Sequence, residues 1–88
     1  MDGQQATRSD HAQERRWLGR AIREGRARRG LSQEELGFRA GLHRNYVGAL
    51  ERGETNPTFN TLLRVVIGLD LALSIVVGMY ERNAAEAS

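Results

Sequence analysis

Two short stretches of this sequence hold polar and charged side chains at spacings that can do chemistry. Ser32-Gln33-Glu34-Glu35 opens one helical pattern, His43-Arg44-Asn45-Tyr46 opens a second, and Gly41 lies between them. A short helix, a glycine turn and a second short helix with polar residues at its start make a helix-turn-helix. In that arrangement the first helix lies across a DNA backbone, and the second sets its N-terminal side chains against base edges in the major groove. The chemistry would be hydrogen bonding rather than bond breaking. Four serines, two histidines and no cysteine offer no nucleophile–base constellation, and the acids fall in helix caps or beside arginines. An enzyme is not expected. The missing cysteines also remove disulfides and thiolate zinc sites, and two histidines, His11 and His43, do not suggest a metal site.

These side chains need a frame, and periodicity supplies it. Residues 1–9 are polar, lack periodicity and read as a flexible tail. Asp10 followed by Gln13 has the spacing of a capping box and starts a first helix running to about Arg29. Leu18, Ala21, Ile22 and Gly25 share one of its stripes, and Gly30 ends it. Ser32 caps a second helix with Glu35 three residues on. Leu36 anchors that helix inward, and Gly41 stops it with the φ > 0 conformation a tight turn requires. A third helix covers about His43 to Arg52, with Val47 and Leu50 facing in and Gly53 ending it. Small residues at Gly37, Gly48 and Ala49 allow close approach between helices, or between the reading helix and the groove. Asn56-Pro57 forces an extended link, and Thr58 caps a fourth helix carrying Phe59, Leu62, Leu63, Val66 and Leu69.

The last segment reads two ways. Leu71, Leu73, Ile75 and Val77 alternate as in a strand, whereas Leu73, Val76, Val77 and Tyr80 fit a helical i, i+3, i+4, i+7 pattern with Ser74 as a cap. A fifth helix is favoured, and a short strand over 70–78 is the alternative. Residues 83–88 read as a second tail, leaving 10–82 as one domain.

Composition fits this frame. Eighty-eight residues make one domain, too small for a deep substrate-enclosing cleft. Apolar residues at 40% and charged residues at 27% suit a globular domain rather than a disordered one. The longest uncharged run, Leu71 to Tyr80, is ten residues, against the ~20 a membrane-spanning helix needs. Residues 1–15 hold no apolar segment for a secretory signal, so the cytoplasm is the expected location. The net charge of +2 hides an asymmetry: residues 1–52 carry eleven arginines against seven acids, residues 53–88 two against four. The N-terminal half suits a polyanion, and the acidic third must do something else. All thirteen basic residues are arginine, reflecting either a GC-rich genome or bidentate phosphate contacts.

Taken together, the sequence resembles the Xre/Cro-type family, the helix-turn-helix domains of phage repressors and many bacterial regulators. The matching residues are Arg23 and Arg26, the run Gly30-Leu31-Ser32-Gln33-Glu34-Glu35-Leu36, and Ala40-Gly41-Leu42. They continue with Glu51-Arg52-Gly53, Asn56-Pro57 and the amphipathic helix that follows, over about residues 14–80. The resemblance implies an all-α, five-helix, repressor-like bundle. Gly25 and Gly37 depart from the family's usual leucine and alanine, and a helix-interior glycine costs ~0.5–1 kcal/mol relative to alanine.

The resemblance also implies roles. Arg44 and Asn45 occupy base-reading positions, where arginine suits guanine O6/N7 and asparagine suits adenine N6/N7. Ala49 either touches a thymine methyl or is there for helix propensity. Ser32 and Gln33 are expected at the DNA backbone, Gln33 resembling the glutamine that contacts phosphate and braces the reading helix, and Arg52 resembles the backbone contact that ends it. His43 is either a DNA contact or solvated, and Tyr46 either a phosphate contact or a packing residue. Arg26 and Glu51 look like the family's ion pair tying the first helix to the end of the third. Trp17 is either a core edge or an interface residue.

The expected function is sequence-specific binding of double-stranded DNA by a homodimeric transcriptional regulator, repressor or controller in type, on a palindromic operator. Half-sites ~34 Å apart would match the two-fold symmetry. Leu71, Leu73, Ile75, Val76, Val77 and Tyr80 form the expected dimer patch, far from the basic surface. No cofactor, small-molecule ligand or membrane partner is implied. The alternative is an antitoxin or adaptor module using the same fold. Antitoxins usually carry a separate toxin-wrapping segment, whereas about six residues follow Arg82 here. An antitoxin ending in an intermolecular strand would favour the strand assignment for 70–78.

Overall fold

The computed structural model describes residues 2–87, with side chains from residue 11 onward. Five helices follow in order: α1 Asp2–Arg29, α2 Gln33–Ala40, α3 Arg44–Glu51, α4 Phe59–Leu69 and α5 Leu73–Glu86. The boundaries of α2, α3 and α4 follow from local chemistry. At α2 the Glu35 N–H donates to Ser32 Oγ at 3.0 Å, while the Ser32 N–H donates to Glu35 Oε1 at 2.8 Å, a reciprocal capping box. Thr58 Oγ1 caps α4 by accepting from the Thr61 N–H at 3.1 Å. Gly41 ends α2 at φ 72°, ψ 35°, a left-handed conformation that a side chain would strain.

Two ends differ from the sequence reading. α1 begins at Asp2 rather than Asp10, so the backbone of residues 2–9 is helical instead of a tail. This stretch is free of proline, and a polar helix without an apolar stripe leaves no periodic signal to read. α5 continues through residues 83–86, the start of the second predicted tail. Met1 and Ser88, the outer ends of those tails, lie outside the described residues.

The 70–78 segment is helical from Leu73, with Ala72 rather than Ser74 at the N-cap and no side-chain cap bond. The packing explains the choice of period. Val76, Met79 and Asn83, spaced i, i+3, i+7, are the buried residues of α5, while Ile75 and Val77 stay 45% and 38% exposed. A strand would have put Ile75 and Val77 on one face together. Asn83 Nδ2 donates to the Trp17 carbonyl at 3.1 Å, and the Tyr80 ring meets Trp17 edge-on at 6.3 Å. α1 therefore fixes α5 through its polar and aromatic groups as well as its apolar ones.

The core draws on every helix: Ala21 and Ile22 from α1, Leu36 from α2, Val47 and Leu50 from α3, Val65, Val66 and Leu69 from α4, and Val76 and Met79 from α5. Phe59, expected on the inner stripe of α4, is instead 63% exposed. α1 crosses the end of α3 very closely, because a Cβ at Gly19 would lie 2.4 Å from the Leu50 carbonyl oxygen. Between α4 and α5, Asp70 takes a left-handed φ of 55°. Arg29 Nε bonds the Leu69 carbonyl at 2.9 Å and its Nη2 bonds the Asp70 carbonyl, satisfying the end of α4 from across the fold.

Candidate nucleic-acid interface

The helix-turn-helix is built as one stiff unit. Leu36 and Val47 are both fully buried, so α2 and α3 share the core. Gly37 lets α2 press against the turn that leads into α3: a Cβ there would sit 2.5 Å from the Leu42 carbonyl oxygen. The turn itself is held from outside, by Arg64 Nη2 donating to the Gly41 carbonyl at 3.1 Å. Gly25 is filled differently, with the Leu71 and Leu69 methyls 3.1 and 3.2 Å from where its Cβ would be. Neither glycine leaves a void.

At the start of α3, Arg44 and Asn45 are exposed. Arg44 has one charged neighbour, Glu34, at 4.0 Å with both side chains mostly in solvent. An exposed pair at this distance holds the guanidinium only weakly. His43 is the N-cap: its Nδ1 accepts from the Asn45 N–H at 3.0 Å, which leaves only Nε2 to meet anything else. Tyr46 packs half-buried against the core, and Ala49 is also half-buried. Ser32 uses a hydroxyl lone pair and its N–H in the capping box described above, which leaves its O–H free to donate to an acceptor outside.

Behind α3 lies a buried charge cluster. The Glu51 side chain is 0% exposed, and its carboxylate takes Arg26 Nε at 2.6 Å and Arg26 Nη2 at 2.9 Å. Gln33 Nε2 donates to the same carboxylate at 3.0 Å, and Arg23 Nε stands 3.7 Å away. Arg26 also bonds the Leu31 carbonyl at 2.9 Å, so one guanidinium ties α1, the α1–α2 turn and α3 together. Burial alone would raise the Glu51 pKa. The hydrogen bonds from Arg26 and Gln33, with the Arg26 and Arg23 charges, outweigh it and hold the carboxyl below the ordinary carboxylate range. The pairing of Arg26 with Glu51 and a bracing role for Gln33 were legible in the motif; Glu51 as the atom-level partner of Gln33, and the nearby Arg23, were not.

Gln33 and Arg52 converge on Gly48. A Cβ on Gly48 would fall 3.0 Å from Arg52 Nη1 and 3.5 Å from Gln33 Oε1. The bare backbone there lets both side chains lie against α3. Arg52 is also paired, with Nε at 2.7 Å and Nη2 at 3.2 Å from the two Glu54 oxygens. The sequence reading did not mark Glu54, nor Phe38, which stands 88% exposed on α2 in a groove with Glu34, Leu42, His43 and Arg44.

The predicted dimer patch is only partly a surface. Val76 is fully buried and belongs to the core, so it has nothing to offer a partner. Leu71, Leu73 and Tyr80 are half-buried against that core, and Ile75 and Val77 are exposed. Val77 and Tyr80 also line a cleft of ≈ 450 Å³ with Leu18, Leu62, Arg15 and Asn56, away from α2 and α3. Among the described residues no cluster of histidine and acids could hold a metal ion, and no single helix is long and apolar enough to cross a membrane.

Five packed helices, with a helix-turn-helix exposed at its reading end and pinned behind by a buried ion pair, define the class of helix-turn-helix DNA-binding regulators. The profile of the helix-turn-helix family matches residues 22–76, and the chain belongs to that family in its Xre/Cro-like form. Control protein C.SmaI of Serratia marcescens is 39% identical over 56 residues, covering 64% of this chain and 67% of that protein. The immunity repressor of Bacillus phage phi105 is 36% identical over 61 residues, 69% of this chain and 42% of the repressor. Among solved structures, the restriction-modification controller C.AhdI of Aeromonas hydrophila matches with a TM-score of 0.74 at 39% identity, over 76% of this chain and 97% of the controller. The expected all-α fold and family are borne out.

Proposed function

We propose that this chain regulates transcription by binding double-stranded DNA sequence-specifically as a homodimer, with α3 in the major groove. One observation carries the reading: Arg44 and Asn45 stand exposed at the open end of a helix that Val47 and Leu50 anchor in the core and Glu51 anchors in the buried charge cluster. Arg44 and Asn45 read bases, with Ala49 further along the same helix. Ser32, Gln33, His43, Tyr46 and Arg52 border them on the phosphate side. Two copies reading half-sites ~34 Å apart double the recognised sequence. Similarity to a control protein, a restriction-modification controller and an immunity repressor supports a controller or repressor role. The two-fold symmetry of a homodimer calls for a palindromic operator, and the bacterial cytoplasm is the corresponding place of action. An antitoxin that ends in an intermolecular strand is disfavoured because Leu73–Glu86 is helical, whereas an adaptor using the same helical fold remains the second reading.

Exposed apolar residues of α5 support assembly of the dimer there. Replacing Ile75 or Val77 with aspartate should give monomers by sedimentation, with circular dichroism nearly unchanged because both side chains already face water. Operator binding should weaken strongly in parallel. A dimer that survives both changes would move the interface to the outer face of α4, where Ile67 is 73% exposed.

A further inference from the structure

The end of α3 closes in a Schellman turn. The Gly53 N–H bonds the Leu50 carbonyl at 3.1 Å and the Glu54 N–H bonds the Ala49 carbonyl at 2.9 Å, with Gly53 left-handed at φ 75°. This closure fixes the backbone of Glu54 against the last turn of α3, two residues beyond Arg52. The Glu54 carboxylate then fills the fork of the Arg52 guanidinium, oxygen for nitrogen, at 2.7 and 3.2 Å. That fork is the geometry by which arginine grips a phosphate. The pair is in solvent, 54% and 56% exposed, so no burial locks it, and an incoming anion can reach it. Glu51 adds a second negative charge near the guanidinium but is committed to Arg26 and Gln33.

We propose that Glu54 is an affinity-setting residue, which occupies Arg52 as an internal stand-in for phosphate and must be displaced when Arg52 meets a DNA backbone. The proposal rests on the DNA-binding function proposed above. Glu54 lowers affinity for all duplexes by about the same factor, because a phosphate contact carries no sequence information. It thereby limits occupancy of unrelated DNA without touching base reading by Arg44 and Asn45. An exposed pair of this kind is weak, so its release should be visible as a change of about two- to fivefold per protomer and not more.

The test is a double-mutant cycle on the full chain, read by fluorescence anisotropy on a selected operator duplex and on a duplex of arbitrary sequence. Glu54→Gln should bind both duplexes more tightly by similar factors, with the thermal midpoint unchanged. In an Arg52→Ala background the same substitution should have a much smaller effect. No gain in Glu54→Gln, or a gain undiminished without Arg52, would overturn the proposal. If the wild type itself binds neither duplex, the DNA reading fails, and the role of Glu54 falls with it.

Discussion

Alanine in place of Arg26 is expected to cost about 3–5 kcal/mol of folding stability at neutral pH, a large part of what a domain this small possesses. The substitution removes two hydrogen bonds from a carboxylate whose side chain is fully buried, leaving it to Gln33 and to Arg23 at 3.7 Å. It also releases the Leu31 carbonyl. The pH dependence distinguishes this mechanism from simple loss of packing. In the wild type the Glu51 pKa is lowered on folding, so its contribution is complete above the unfolded value and is lost as pH falls through the folded one. Without Arg26 the carboxyl loses its strongest stabilising partner and should take up a proton at higher pH than in the wild type, which relieves the variant. The gap between the two proteins should therefore be widest near neutrality and narrow in acid. Urea unfolding across that range measures it; a loss below about 1 kcal/mol at neutral pH would mean the pair behaves as an exposed one.

The second large effect concerns recognition. Arg44→Ala should cost about 1–3 kcal/mol in each half-site, roughly 2–6 kcal/mol for a dimer on its operator, and much less on unrelated duplex. The fold should not notice, because Arg44 is exposed and its one charged neighbour, Glu34, is at 4.0 Å. Arg52→Ala should instead weaken both kinds of DNA by similar factors. Gln33→Ala makes a poorer control, since Gln33 also holds Glu51 and its loss touches stability as well as DNA binding. Equal loss by Arg44→Ala on both duplexes would make Arg44 a backbone contact. Specificity would then rest on Asn45, His43 or DNA shape.

What the sequence revealed follows from how far each interaction reaches. Ser32 with Glu35, Thr58 with Thr61 and the turn at Gly41 are contacts within a few residues, and the residue types announce them. Arg26 and Glu51 lie 25 residues apart and came into view through a family motif, not through any periodicity. Gln33 on Glu51, Arg64 on Gly41 and Arg29 on the end of α4 are bonds between distant segments, for which the chain carries no local signal. Asp70 was unreadable for a related reason: its left-handed turn is supported by Arg29, 41 residues upstream. The last segment has both strand and helix periods, and packing separates them: Val76 and Met79 are buried in the core, and Tyr80 and Asn83 meet Trp17 across α1 and α5. Gly37 read as a weakness because its close neighbour, the Leu42 carbonyl, is brought back onto α2 by a turn whose geometry is not in the sequence.

If the basic, N-terminal half of the chain holds DNA phosphates while α3 reads bases, binding must depend on salt, and an operator selected from random sequence is the duplex on which to measure it. A dimer neutralising roughly six to eight phosphates should show a log–log slope of about −5 to −7 on that duplex. A slope near zero, or equal affinity for duplex DNA and a neutral polymer, would contradict it.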